Sequence, residues 1–428
     1  MKKFPLFLLC ALWACAPARS QQADDGLRLE QAQRMAIEGN HDLRLALASV
    51  QAAQAAIQAA DTGPNPVLTL QTMNINPSQG MGAGPLRGKT VDSSVRIDQQ
   101  IERGGKRALR TDNAQYLEQA SRADLADVRR QLKLAVAQAY YDLLAAQDKR
   151  AIVRDTAGLY GSTLEAARRR RKAGDLAGAD VARIEVDALR AANDVDQAEA
   201  DLRRAQQTLA LALGMPQDAP RLRAVDPWPD LPAPGAENHL DAALDRRADV
   251  RAAEARVRAA AAALRLALAL RTRDITVGLQ AEHWPQSAAN TQGSGNSFGI
   301  TVQIPLFLRN QFQGEIRNAQ VAADSAAVTL EKVRAVASSE LARSADDAQI
   351  SAARLRRYDS ELLPASARSA DAAEYAFRNG ATGVMDVLDA RRTRRATLLE
   401  AVAARAEHAR ALAARTAARS TDTNSEMP

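Results

Sequence analysis

Hydrophobic positions along the chain follow two periods, and the periods come round twice in the same order. Residues 27–60 are dense in Ala and Gln with apolar positions at helical spacing, and Asn40-His41-Asp42 marks a break near their start. Pro64 and Pro66 end this helix, because a proline pushes the residue before it out of the α region. Residues 67–73 read as extended, and residues 74–88, rich in Gly, Pro, Asn and Ser, as a long loop. From Val91 the pattern alternates. Val91, Ser93, Val95, Ile97, Gln99 and Ile101 take one face; Asp92, Ser94, Arg96, Asp98 and Gln100 take the other. That is a strand with one apolar and one polar side, and Gly104-Gly105 stops it.

Residues 106–173 hold no proline, and their glycines are Gly158 and Gly161. One helix of that length runs on the order of 90–100 Å, more than an ordinary globular domain needs. A turn follows, then a return helix over 180–213 and a Pro-rich linker over 214–239. The second half repeats the order. Residues 240–271 are helical, with Arg247-Ala248-Asp249-Val250 matching Asn40-His41-Asp42-Leu43. Ile275, Val277, Leu279 and Ala281 predict a strand, 283–297 a polar loop, and Ile300, Val302, Ile304 and Leu306 another strand. A second long helix spans 313–377, interrupted near Pro364, and a return helix spans 384–418. The predicted organisation is a leader (1–20), a first repeat (21–213), the linker (214–239), a second repeat (240–419) and a disordered tail (420–428).

The turn between long and return helix carries the candidate chemistry. Arg378-Asn379-Gly380 stops one helix with residues favoured past a C-terminus. Thr382 is the expected N-cap of the next, and Val384, Val387 and Leu388 restart an apolar stripe. Asp386 and Asp389, three apart, share one helix face. Gly174 and Asp180 stand 206 positions before Gly380 and Asp386, so the tip occurs twice. The plainer reading of these acids is favourable placement near a helix N-terminus.

Composition narrows the class. The 428 residues are 46% hydrophobic, mostly Ala, with 4% aromatics, which suits closely packed helices rather than a bulky core. The net charge is +6, but Arg alternates with Asp and Glu along the helices as on solvated faces, so no nucleic-acid partner is expected. The Arg168–Arg171 run is read the same way, as a solvated helix end. Lys2 and Lys3 followed by an apolar run and small residues form a secretory leader too short to span a bilayer. Cleavage after Ser20 leaves Gln21 first; the competing route is lipidation of Cys15 in an imperfect lipoprotein box with Trp13 at a small-residue position. Cys10 and Cys15 both lie in the leader, so no disulfide is expected in the mature chain. Four scattered His and no further Cys predict no metal site, no cofactor and no enzyme. Tyr140-Tyr141 are expected between neighbouring helices, and His283-Trp284 at a strand end beside an interface.

Strand pairs with an apolar face in an exported chain predict a barrel in lipid. Four strands cannot close one, and an open edge in hydrocarbon leaves backbone amides unsatisfied. A trimer supplies twelve strands and a pore, a dimer eight and a nearly filled lumen. A soluble sandwich edge is the alternative, and it leaves the two long helices unexplained.

The doubled order, the Gly380-to-Asp389 tip and the strand end Gln100-Ile101-Glu102-Arg103-Gly104-Gly105-Lys106-Arg107 resemble the outer-membrane efflux proteins typified by the TolC channel. The likeness covers nearly the whole mature chain. The strand end is most similar to the heavy-metal (cobalt-zinc-cadmium) efflux branch, although the second half has Pro305-Leu306-Phe307 without the double glycine.

The resemblance implies a mixed α and β membrane protein. Its homotrimer forms a twelve-stranded barrel in the outer membrane of a Gram-negative bacterium, continued by a helical tunnel through the periplasm. Each long helix runs the tunnel, and the two shorter helices of a repeat stack end to end beside it. The tips dock on a periplasmic adaptor (membrane fusion) protein attached to an inner-membrane pump, which supplies the energy. Asp386 and Asp389 fall where the family places acidic rings, and Asp180 at the equivalent acid of the first repeat. The tyrosine and arginine that lock the tip in some members are Phe377 and Thr382 here. Heavy-metal cations are the expected cargo, with drug efflux or type I protein secretion as alternatives. A periplasmic coiled-coil adaptor remains a further alternative, but it needs no pair of amphipathic hairpins.

Overall fold

The break expected at Asn40 is where the first helical stretch divides. The computed structural model describes residues 26–75, 91–231, 244–286 and 291–420. The predicted leader with Cys10 and Cys15, residues 421–428, and parts of the predicted linker and of both predicted polar loops lie outside the described residues. Helix α1 (Leu29–Gly39) meets α2 (His41–Ala60) at Asn40, an extended residue whose carboxamide oxygen accepts from Asp42 N (2.8 Å) and Leu43 N (3.2 Å). Strands β1 (Val67–Met73) and β2 (Asp92–Ile101) follow. Helix α3 (Lys106–Lys172) is unbroken over 67 residues, about 100 Å long. Helix α4 (Gly178–Ala212) returns along it.

In the second half come α5 (Ala248–Ala269), β3 (Ile275–Trp284) and β4 (Gly295–Gln303). Helix α6 (Gln313–Arg357), a π turn (Tyr358–Leu362), α7 (Leu363–Arg378) and α8 (Val384–Arg419) complete it. The expected interruption near Pro364 is that π turn: Leu363 N–H donates to Tyr358 O, five residues back, just before the residue that has no N–H to give. Strand ends differ from the expected ones. β3 runs on through His283 and Trp284, and β4 stops at Gln303, leaving Ile304 and Leu306 outside the ladder beside Pro305.

The four strands form one antiparallel sheet in the order β1-β2-β3-β4, so β2 and β3 join the two halves and β1 and β4 are edges. Register assigns the faces. Thr69, Arg96, Gln280 and Gly299 lie in one row across the sheet, and Leu68, Ile97, Leu279 and Ile300 in the adjacent row on the other side. The apolar side is bare: Leu70 is 71% exposed, Phe298 85% and Ile300 77%. Among the described residues no helix is long and apolar enough to cross a membrane, which says nothing of the sheet.

Helices pack through alanine. Ala252, Ala253, Ala255, Ala259 and Ala262 of α5 are buried, and Asn113 of α3 donates to Ala259 O at 2.7 Å, an approach that small side chains permit. In the first half the shorter helices abut end to end. Gly214 (φ +76°) closes α4 against Gly39 with no room for a Cβ between them, and Asn40 Nδ2 donates to Ala212 O at 3.1 Å. Tyr140 and Tyr141 do not simply fill a gap between helices. Tyr140 Oη donates to Leu27 O or Asp226 Oδ2 (both 2.9 Å) and accepts from Asp226 N (3.0 Å), while Tyr141 stacks on Trp228. The described start of the linker is therefore packed structure: Ala224 pairs with Leu27 and is buried. Burial lifts the Tyr140 hydroxyl to about 12, against partial relief from the Asp226 amide, so it stays a neutral donor.

Candidate functional site

Both tips are built by the same turn chemistry. In the first, α3 ends at Lys172, Gly174 takes φ +89°, and Asp175 N reaches back to Arg170 O at 2.9 Å. In the second, α7 ends at Arg378, Gly380 takes φ +72°, and Ala381 N reaches Ala376 O at 2.9 Å. This six-to-one closure needs a left-handed residue, which glycine adopts without a Cβ penalty.

The start of the return helix differs from expectation. Thr382 does not cap α8; its hydroxyl is buried without a hydrogen-bond partner among the described residues. Gly383 is the N-cap, in extended conformation, and its N–H donates to Asp386 Oδ2 at 3.2 Å. Asp386 thus takes the third helical position, and Asp180, behind the N-cap Ala177, takes the same position in α4. The extended backbone that an N-cap requires falls one residue later than the hydroxyl would suggest.

Asp386 and Asp389 are exposed because the other side of α8 is occupied. Leu388, 1% exposed, seats among Tyr160 and Ala167 of α3 and Val181 and Ile184 of α4, with Val384 and Met385 alongside. That apolar seat turns both carboxylates outward. Asp180 is half-buried and lies 4.0 Å from Arg183. Phe377 lies 5.9 Å from the Arg170 guanidinium, so one tip is laid on the other by a cation–π contact worth about 0.5–1 kcal/mol at an exposed site. Arg168 pairs with Glu185 at 2.7 Å, as a solvated helix end would.

Sequence reasoning missed the arginines that tie the halves together just behind the tips. Arg395 of α8 reaches Asp194 of α4 at 2.7 Å, Arg392 pairs with buried Asp187, and Arg391 donates to Thr163 of α3 at 3.2 Å. Arg391 also lies 3.4 Å from Glu374, whose carboxyl is held below its usual range by the hydrogen bond from Arg378 and the charge of Arg391. The signal was present in Arg391-Arg392 and Arg394-Arg395 on one helix and acids seven apart on another, but one chain gives no register between distant helices. Among the described residues no group of His, Cys, Asp and Glu could hold a metal ion.

A four-stranded sheet with its apolar side bare, carried on helices of which α3 is about 100 Å long, is a fold shared with solved outer-membrane channels. The Campylobacter jejuni CmeC outer-membrane channel superposes with a TM-score of 0.77 over 93% of this chain and 86% of its own, at 13% identity, a likeness of fold. A family model described as outer membrane efflux protein matches residues 32–215 and 239–418, and the chain belongs to that family. It is 27% identical over 381 residues to the cobalt-zinc-cadmium resistance protein CzcC of Cupriavidus metallidurans, covering 88% of this chain and 86% of the relative. It is 25% identical over 306 residues to the probable outer membrane lipoprotein SilC of Salmonella typhimurium, covering 69% and 65%. This is an outer-membrane efflux protein reaching into the periplasm, a transport conduit rather than an enzyme.

Proposed function

We propose that three copies close their sheets into a twelve-stranded barrel, and that the trimer is the exit duct of a tripartite efflux system. A periplasmic adaptor docks at its tips and links it to an inner-membrane pump. The observation that carries this reading is the sheet: its apolar face is bare and its edge strand β1 is exposed along all seven residues. In lipid an open edge costs several kcal/mol per unpaired group, whereas neighbouring copies pair it. Strands of nine and ten residues suit the hydrocarbon thickness. The two halves, on this reading, are a tandem repeat.

The cargo we favour is heavy-metal cations, supported by the likeness to CzcC and by the outward Asp386 and Asp389. Threefold assembly places Asp386, Asp389 and Asp180 as acidic rings at the tip, drawing cations and resisting closure until screened. Drug efflux or type I secretion would use the same duct, because the pump chooses. In planar bilayers, replacing Asp386 and Asp389 with Ala should leave trimers intact, remove block by divalent cations and lower cation preference. Unchanged block would reduce both to helix-start carboxylates, and a detergent-free monomer with full helix content would sink the barrel.

Processing is inferred to follow plain cleavage, with Gln21 first and Cys15 lost. The SilC likeness supports the second route, lipidation of Cys15. The mass of the mature N-terminus decides: an acylated Cys15 overturns plain cleavage.

A further inference from the structure

Every Asp, Glu and Arg in the four strands lies on one side of the sheet: Asp92, Arg96, Asp98 and Glu282. That side is also the more enclosed. The Arg96 and Asp98 side chains are 29% and 19% exposed, while their apolar neighbours Val95 and Ile97 are about half exposed. The sheet is therefore curled with its charged side inward.

Within that side Arg96 and Asp98 make a built pair. Arg96 Nε donates to Asp98 Oδ1 at 2.9 Å, and Nη2 lies 2.8 Å from the same oxygen. Asp98 faces Gly278 across the β2–β3 ladder. A methyl group on Gly278 would overlap Asp98 Oδ1 and stand 3.2 Å and 3.4 Å from Arg96 Nε and Nη2. Gly278 does not need its glycine for backbone reasons, since its φ is not positive. It is a recess, and the ion pair lies in it, flat against the wall. Gly299, in the row of Arg96 on β4, leaves a second gap on the same side.

We propose that the inward strand charges, Asp92, Asp98 and Glu282 against an Arg96 that lies flat with Asp98 over Gly278, form a charge-setting belt on the inner wall of the barrel, selecting hydrated cations over anions separately from the tip. The proposal rests on the trimeric barrel reading. Per chain the inward strand charges are three acids against Arg96, so three copies line the lumen with a net negative belt. Field lines concentrate in a water-filled lumen with low-dielectric walls, which raises the local cation concentration. Arg96 balances Asp98, which keeps passing cations from being held: conduction needs sites favourable enough to enter and weak enough to leave.

The test is the reversal potential of single channels in planar lipid bilayers under a potassium chloride gradient, with wild type, Arg96→Gln and Asp98→Asn. Each is measured with the tip intact and in the Asp386→Ala/Asp389→Ala background. Both substitutions keep size and hydrogen-bonding groups, and native gels check that trimers persist. One charge about 7 Å from a passing ion in water changes its occupancy about threefold. Because the same charge acts oppositely on anions, Arg96→Gln should raise the cation-to-anion permeability ratio roughly sevenfold and Asp98→Asn lower it by a similar factor, in both backgrounds. Opposite shifts are something a purely structural pair would not produce. Intact trimeric channels with unmoved reversal potentials overturn the belt alone. Wild-type protein that forms no channel overturns the barrel reading, and the belt with it.

Discussion

The two halves follow one order of elements, yet the elbow before the strand-bearing helix is built differently in each. In the first half the elbow residue is Asn40, whose side chain caps α2 and also holds the last turn of α4 through Ala212 O. It joins two short helices end to end. In the second half the matching residue is Arg247, fully buried, which bonds Asp249 Oδ2 at 2.6 Å and Glu340 Oε2 of α6 at 2.8 Å. It ties the short helix sideways to the long one. Asp249 covers the cap itself, accepting from Val250 N at 2.9 Å. The same bend can be secured along the stack or across it.

Breaking the second elbow should cost more. Arg247→Ala removes a buried cation and leaves Asp249 half-buried without it, a loss of about 3 kcal/mol. The measurement is the thermal midpoint of the helix signal in detergent, and an unshifted midpoint would refute this account of the elbow. Acid should act at the same place. Burial pushes the Asp249 carboxyl up, but the hydrogen bond and charge of Arg247 outweigh it and hold the group below its usual 3.8. Stability from a lowered carboxyl is complete above the unfolded value and fades as pH falls through the lower folded one. The wild type should therefore lose this part below pH 3.8, and Arg247→Ala should lack that acid-side loss. Asn40→Ala, which gives up a cap, should cost about 1 kcal/mol. A larger effect at Asn40 than at Arg247 would invert the comparison.

The long helices show a related contrast. α3 is continuous, whereas α6 and α7 are separated by the π turn ahead of Pro364. That turn places Tyr358 where its hydroxyl reaches Glu400 of α8 at 3.3 Å. Proline made the interruption readable in advance, because a missing N–H is a local property. The partner across the gap was not readable.

Local chemistry accounts for what the sequence alone determined: the order of elements, the alternating faces of the strands, the break at Asn40 and the left-handed glycines at both tips. Each follows from periodicity, proline, or the φ a turn demands, all settled within a few residues. Tertiary structure decided the rest. It paired β2 with β3 across the halves, moved the α8 cap from Thr382 to Gly383, packed Asp226 and Trp228 at the described start of the linker on Tyr140 and Tyr141, and set Arg392 and Arg395 against Asp187 and Asp194. Those outcomes depend on which helix lies beside which and at what register, and residues some two hundred positions apart carry no local mark of that choice.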